Sequence, residues 1–325
     1  MEHFIFAFNA LAPLLFLALI GYGLRRFKIL DEAFIGQLNS FIFVIALPVL
    51  IFTGMSELTQ FSEINFNVVM FAFVMILVVM VLGVILIKIV KLEPTARPVI
   101  LQTIFRGNFV IIGVPLALRL GGDEAFIIIV VMNAFLVPLT NMGSIINFQL
   151  FDPNINLTWE NVRRMLKKSF LNPIMIGIYF GALVVIFNAQ WQWITGHISV
   201  VPDTLDFVSD AAIPMALIAI GGQFSFHRVK SLAKPIIVGV IGRLVMVPLV
   251  ALTAAVLLRH VIDFDNAWAA LIGIFATPVA VASVAVTKGL DGDDELASQM
   301  VMWTTSFAIV SIFVAVVVFR SMGLL

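Results

Sequence analysis

The sequence predicts an all-α polytopic membrane protein of ten transmembrane helices, arranged as a 5+5 inverted repeat with helices four and nine broken. Three observations lead there. Of 325 residues, 62% are hydrophobic and 12% charged, and the mean hydropathy is +1.12, whereas about half the residues of a soluble domain are apolar. Apolar runs long enough to span a bilayer, which takes about 20 residues, recur along the whole chain. Prolines and polar groups interrupt two of these runs at corresponding places in the two halves.

The runs, in order, are Phe4 to Leu24, Leu38 to Gly54, Phe66 to Ile87, Pro98 to Leu118, Ala125 to Phe148, Phe170 to Phe187, Leu205 to Phe224, Pro235 to Leu258, Ala267 to Thr287 and Leu296 to Phe319. The first follows Met1-Glu2-His3, which lacks the Lys/Arg region of a secretory signal, so it reads as a retained helix. Connections are short, and the longest carries the turn signal Asp152-Pro153-Asn154. The chain therefore divides into a first five-helix repeat (1–148), a cytoplasmic linker (149–169) and a second five-helix repeat (170–325).

Lys and Arg set the orientation. Alternate loops hold Arg25, Arg26 and Lys28; Lys88, Lys91 and Arg97; Arg163, Arg164, Lys167 and Lys168; Arg228, Lys230 and Lys234; and Lys288. The opposite side has only Arg119, Arg259 and Arg320. Positive charge is retained inside, so the five basic loops are expected in the cytoplasm and both termini outside the cell membrane.

Several function classes drop out. Formal net charge is zero, which argues against a nucleic-acid partner. With no cysteine there is no thiol nucleophile, Cys-based metal site or disulfide. No Walker motif, HExxH or GxSxG is present, so neither direct ATP drive nor a familiar hydrolase is indicated. His3, His197, His227 and His260 lie at ends or in loops without a partner at metal-ligand spacing. No enzyme activity, cofactor or metal is expected.

The repeat shows in ordered correspondences. Spans one and six share proline followed eight residues later by glycine, Pro13 with Gly21 and Pro173 with Gly181. Spans two and seven begin Leu38-Asn39 and Leu205-Asp206 and reach Pro48 and Pro214. Spans four and nine hold Pro115 and Pro278, and spans five and ten follow Asp123-Glu124 and Asp293-Asp294-Glu295. Five spans per half is odd, so the second half runs through the membrane in the opposite sense. Interrupted helices at matching positions of such a repeat mark a transport site.

That points to Arg106-Gly107-Asn108-Phe109-Val110-Ile111-Ile112-Gly113-Val114-Pro115. Proline suits the first turn of a helix, where its missing N–H is no loss. Pro115 and Pro278 are therefore expected to open second half-helices after breaks at Gly113-Val114 and Ala276-Thr277. For Pro278 a simple kink is an equally good reading. Half-helix N-termini meeting near the midplane would offer N–H groups and partial positive charge to an anion. Arg106 either holds a carboxylate bidentately or balances helix C-terminal ends, and both uses stay open. Asn108 donates to substrate or satisfies the carbonyls freed by the break.

The motifs Asn39-Ser40-Phe41 to Leu47-Pro48, Arg106-Gly107-Asn108 to Gly113-Val114-Pro115-Leu116, Ile213-Pro214-Met215-Ala216-Leu217 and Thr277-Pro278-Val279-Ala280 resemble the signatures of the auxin efflux carrier family. That family includes plant auxin carriers and bacterial malate and malonate permeases. The resemblance runs the length of the chain. It implies that helices four and nine cross at prolines, with an anion bound there and moved by an elevator-like shift of a transport domain against a scaffold. It points to Asn108, Pro115, Pro278 and Asn39. The long central loop of many plant carriers is absent, which favours the short bacterial form and a small carboxylate over auxin.

Other intramembrane polar residues are Asp210 and Arg243, expected either to form an ion pair or to leave Asp210 as a carrier of the coupling proton or sodium ion. Asn133 is a further candidate for the site. Thr140, Asn141, Ser283, Thr287 and Thr304-Thr305-Ser306 are weighed too, back-bonding to the helix being the favoured use of the hydroxyls. Gly177 and Gly181 read as close helix packing, and the acidic run 291–295 as a turn and helix start. The expected partners are a small organic anion, the lipid bilayer and a second copy of the chain through the scaffold helices. The leading function is a secondary carrier of a malate- or malonate-like carboxylate. The alternatives are a sodium-coupled carrier of bile-acid type, an exporter of an auxin-like indole acid, and an intramembrane sensor.

Overall fold

The computed structural model describes residues 1–61, 64–151, 163, 167, 170–223 and 232–325. In lipid, every backbone N–H and C=O must find its partner within the chain, and the apolar runs accordingly fold as helices. In order these are α1 (Glu2–Arg26), α2 (Glu32–Ser56), α3 (Phe66–Val90), α4 (Ala96–Phe105), α5 (Phe109–Phe151), α6 (Pro173–Ile186), α7 (Asn188–His197), α8 (Val200–Gly222), α9 (Ala233–Leu258), α10 (Trp268–Phe275), α11 (Ala282–Gly289) and α12 (Asp294–Ser321). Side-chain caps fix several starts. Asp31 accepts from Phe34 N at 2.7 Å, and Asp293 accepts from Leu296 N at 2.8 Å, so the acidic run is a turn and helix start as read.

Among the described residues, seven helices are long and apolar enough to cross a membrane, or eight if the pair α6 and α7, bent by 95°, counts as one span. The sequence expectation was ten. The difference has a structural origin. The stretch α5 is two helices that meet at Gly122, whose φ 66, ψ −158 is non-helical and open to glycine, so it counts as one span candidate while covering the end of the fourth apolar run and the whole of the fifth. The short helices α4, α10 and α11, of 10, 8 and 8 residues, rise about 1.5 Å per residue and are too short to cross alone. Of the expected linker, 152–162 with its Asp152-Pro153-Asn154 turn, Arg164 and Lys168 lie outside the described residues. So do Phe224, His227, Arg228 and Lys230.

Three helices contain π segments, Ile42–Ala46, Phe109–Gly113 and Gly242–Met246, each two residues ahead of a proline, Pro48, Pro115 and Pro248. Proline has no N–H and its ring crowds the carbonyl four residues back. A turn widened to five residues relieves the crowding without ending the helix. Gly113 N, for example, donates to Asn108 O at 3.0 Å.

Helix α1 packs along α8, and α2 along α6, both through glycine. A Cβ on Gly21 would fall on the Ile218 carbonyl, and one on Gly221 on the Ala18 carbonyl; Gly177 and Gly181 meet Pro48 and Met55 in the same way. Lipid is as apolar as the side chains, so helices associate by close packing of such small residues. The reading of Gly177 and Gly181 as packing residues is thus met. Gly221→Val places side chain where backbone already sits, and overpacking costs on the order of 1–3 kcal/mol. A lowered unfolding temperature in detergent is the expected result, with Gly23→Val, whose Cβ site is open, as the neutral control. Helix α7 follows α6 at its bend, and helices α3, α5, α9 and α12 surround the short helices α4, α10 and α11, whose breaks carry the polar interior.

Candidate functional site

Helix α4 ends at Phe105 because the next residues leave the helical region, Arg106 at φ −97, ψ 85 and Asn108 at φ −84, ψ 63. Between them Gly107 is packed so tightly that a Cβ would fall on the Arg243 guanidinium and the Phe109 ring. Helix α10 ends at Phe275, and helix resumes only at Ala282. The two interruptions pair as an antiparallel bridge, Gly107 with Val279. Asn108 N donates to Pro278 O at 2.8 Å, and Ala280 N donates to Arg106 O at 3.0 Å. Each break thereby satisfies backbone groups that the other has released, which is how two breaks persist in an apolar interior.

One turn along α5 the backbones touch again. A Cβ on Gly113 would lie 2.5 Å from Gly273 O, and a Cβ on Gly273 would lie 2.7 Å from Gly113 O and from Ile129 Cδ1. Only two glycines allow this approach.

Arg243 is fully buried and closes the helix ends at the crossing. Its Nε donates to Thr277 O at 2.7 Å, its Nη1 to Ile104 O at 3.0 Å, and its Nη2 to Ile274 O at 3.0 Å and to Thr277 Oγ1 at 3.4 Å. Its guanidinium carbon stands 5.9 Å from the Phe109 ring centroid. Thr304 caps from the other side, accepting from Val279 N at 3.2 Å while donating to Met300 O at 2.6 Å. The back-bond expected of Thr304 is present, and the cap is an addition to it.

Arg106 is buried and donates from Nη1 to Ser144 Oγ at 3.0 Å. Among the described residues the one Arg–carboxylate pair is the exposed Arg25–Glu32, so neither interior guanidinium is matched by an acid. Buried amide atoms are left without a protein partner at Asn108 Nδ2 and at Nδ2 and Oδ1 of Asn133. Asn133 lies one helical turn from Ile129, which touches the Gly113–Gly273 contact. It shares a face of α5 with Thr140 and with Ser144, which holds Arg106, because residues three and four apart lie on the same side of a helix. Below the crossing Thr287 Oγ1 donates to Gln102 Oε1 at 3.0 Å, tying α11 to α4, while Ser283 Oγ is buried without a partner.

Four expectations need correction. The break in span four lies at 106–108, not at Gly113-Val114, because the π segment absorbs Pro115. Pro278 does not start a half-helix. It sits inside the extended stretch, where its carbonyl serves the bridge to Asn108. Asp210 and Arg243 form no ion pair, since Asp210 is exposed and Arg243 spends its donors on carbonyls. Asn39 is partly exposed, and its Oδ1 accepts from Gln223 Nε2 at 3.1 Å, just beyond the end of α8. The structure brings together Arg106, Asn108, Gly113, Thr277 and Pro278, and Asn133 is one turn of α5 away from Ile129 at the glycine contact. Gln102 and Gly273 went unnoticed, although a glutamine four residues before Arg106 in an apolar run marks the same helix face. The carbonyl-binding role of Arg243 was also missed; two interior arginines against one interior acid were the available signal.

An apolar, helical chain that gathers its interior polar groups where two interrupted helices pair through their backbones is an integral membrane protein, and its class is that of membrane transport proteins. The family model for membrane transport proteins matches residues 6–316, and the chain belongs to this family, that of the auxin efflux carriers. Its members are transporters, not enzymes. Comparison with curated proteins gives no match.

Proposed function

We propose that the protein is a secondary carrier of a small carboxylate of the malate or malonate kind, bound at the crossing of the two broken helices. One observation carries this reading: Arg106 and Asn108, whose Nδ2 has no partner, are buried at the bridge, Asn133 is buried and unpartnered farther along α5, and among the described residues no carboxylate pairs with Arg106. Unsatisfied buried polar groups cost roughly 1–3 kcal/mol each, and an anion accepting from the Nδ2 groups of Asn108 and Asn133 and from Arg106 recovers part of that cost. The residues proposed to face it are Asn108, Arg106, Gly113, Pro115, Thr277, Pro278 and Asn133.

The ten-span, 5+5 inverted arrangement remains part of the proposal. It is supported by the exchange of partners between the halves: Gly21 of span one rests on span seven, and the matching Gly181 of span six rests on span two. In this reading α1, α2, α6 and α8 form the scaffold, through which two copies associate. The other helices form the element that carries the anion across by an elevator-like shift, with both termini outside the cell membrane.

Uptake of labelled malate, malonate and an indole acid into proteoliposomes, under imposed proton or sodium gradients, tests the reading. Saturable uptake of the dicarboxylates is expected. Binding without flux would make the protein a sensor, and strict sodium dependence would favour the bile-acid type of carrier. Asp210, exposed on α8, is the proposed coupling group. Asp210→Asn is expected to flatten the proton or sodium dependence of uptake, and an unchanged profile would remove Asp210 from coupling.

A further inference from the structure

A broken helix presents two kinds of end. Its C-terminal end carries unpaired carbonyls and roughly half a negative charge, and its N-terminal end carries unpaired N–H groups and roughly half a positive charge. Two such helices cross here, so four ends meet. The C-terminal ends belong to α4 and α10, and the N-terminal ends open at Phe109 and Ala282. Left alone, the ends cancel and an anion gains little from them.

Arg243 breaks the tie. Its donors go to Ile104 O at the end of α4, to Ile274 O in the last turn of α10, and to Thr277 O two residues past that helix, so one guanidinium covers both negative ends. Two negative half-charges against one guanidinium leave the C-terminal side neutral. What remains is the pair of N-terminal ends and Arg106, a total of roughly two positive charges. We propose that Arg243 is a positioning residue that neutralises both half-helix C-termini, and that the field it leaves selects a dianionic dicarboxylate over a monoanion. Arg243 acts through the helix ends and touches no substrate. The fork geometry of arginine suits carbonyls on two separate elements, which a lysine ammonium cannot span in the same way.

The inference rests on the carrier reading and is tested with malonate and its monomethyl ester, a dianion and a monoanion near neutral pH, in proteoliposome uptake. The wild-type protein is expected to take up malonate with the lower KM. In Arg243→Gln the malonate KM is expected to rise about tenfold and the ester KM only about threefold, because a lost field acts on a dianion with twice the free energy it exerts on a monoanion. A merely structural role would depress both substrates alike. Arg243→Lys keeps the charge, so its dianion preference should survive even if the maximal rate falls. This variant decides the matter if Arg243→Gln cannot be recovered. Equal losses for both probes, an unchanged ratio in Arg243→Gln, or loss of the ratio in Arg243→Lys would overturn the proposal. If the wild-type protein moves neither probe, the carrier reading itself fails.

Discussion

Asn108→Ala is expected to lower dicarboxylate uptake roughly ten- to a hundredfold, and Arg106→Ala at least as much, with expression and monodispersity retained. A hydrogen bond to a charged ligand contributes about 1.5–3 kcal/mol, which sets that range. Both side chains are buried at the bridge, yet neither holds the break together. The pairing of 106–108 with 278–280 is made by backbone atoms. Asn108 Nδ2 has no partner, and Arg106 donates to one serine hydroxyl. Removing either leaves the scaffold packing of α1 on α8 untouched. Near-normal uptake by Arg106→Ala would restrict that residue to its hydrogen bond with Ser144.

The second large effect is expected at the glycine pair. Gly113→Val and Gly273→Val each insert a branched side chain where the facing carbonyl leaves 2.5 and 2.7 Å for a Cβ. Neither obstacle is the flexible tip of a side chain, so α10 and the π segment must part. Overpacking of this kind costs on the order of 1–3 kcal/mol, and the crossing is displaced with it. Transport is expected to fall by more than tenfold, with a lower unfolding temperature. Gly289→Ala, with open space at its Cβ site, serves as the control in both assays. Full activity in Gly113→Val would show that the crossing does not depend on this contact.

Much of this architecture was legible in the chain. Hydropathy locates helices because lipid leaves the backbone no other way to be satisfied. The region of the site was legible as well, since Arg106, Gly107 and Asn108 are costly in an apolar span unless the structure uses them. The position of the break was not. Proline suits the start of a new half-helix, whereas Pro115 is absorbed by a widened turn and Pro278 lies in the bridge. The difference depends on whether a partner strand is available to pair with, and that is a long-range fact. The pairing of Asp210 with Arg243 failed for a related reason. Opposite charges in neighbouring spans suggested a contact, but helix-end carbonyls compete for a guanidinium, and their positions depend on where the helices break. Gly273 escaped notice because an isolated glycine in an apolar run carries no sign of what it will face.

A carboxylate anion is proposed to bind at the bridge between 106–108 and 278–280. Equilibrium binding of malonate to the purified protein, measured calorimetrically for the wild type and for Asn108→Ala, tests it most directly. The account predicts saturable binding to the wild type, weakened about tenfold or more in the variant, and no binding of the neutral diamide malonamide to either. Equal affinity of the two proteins for malonate, or binding of the diamide as tight as that of the dianion, would contradict it.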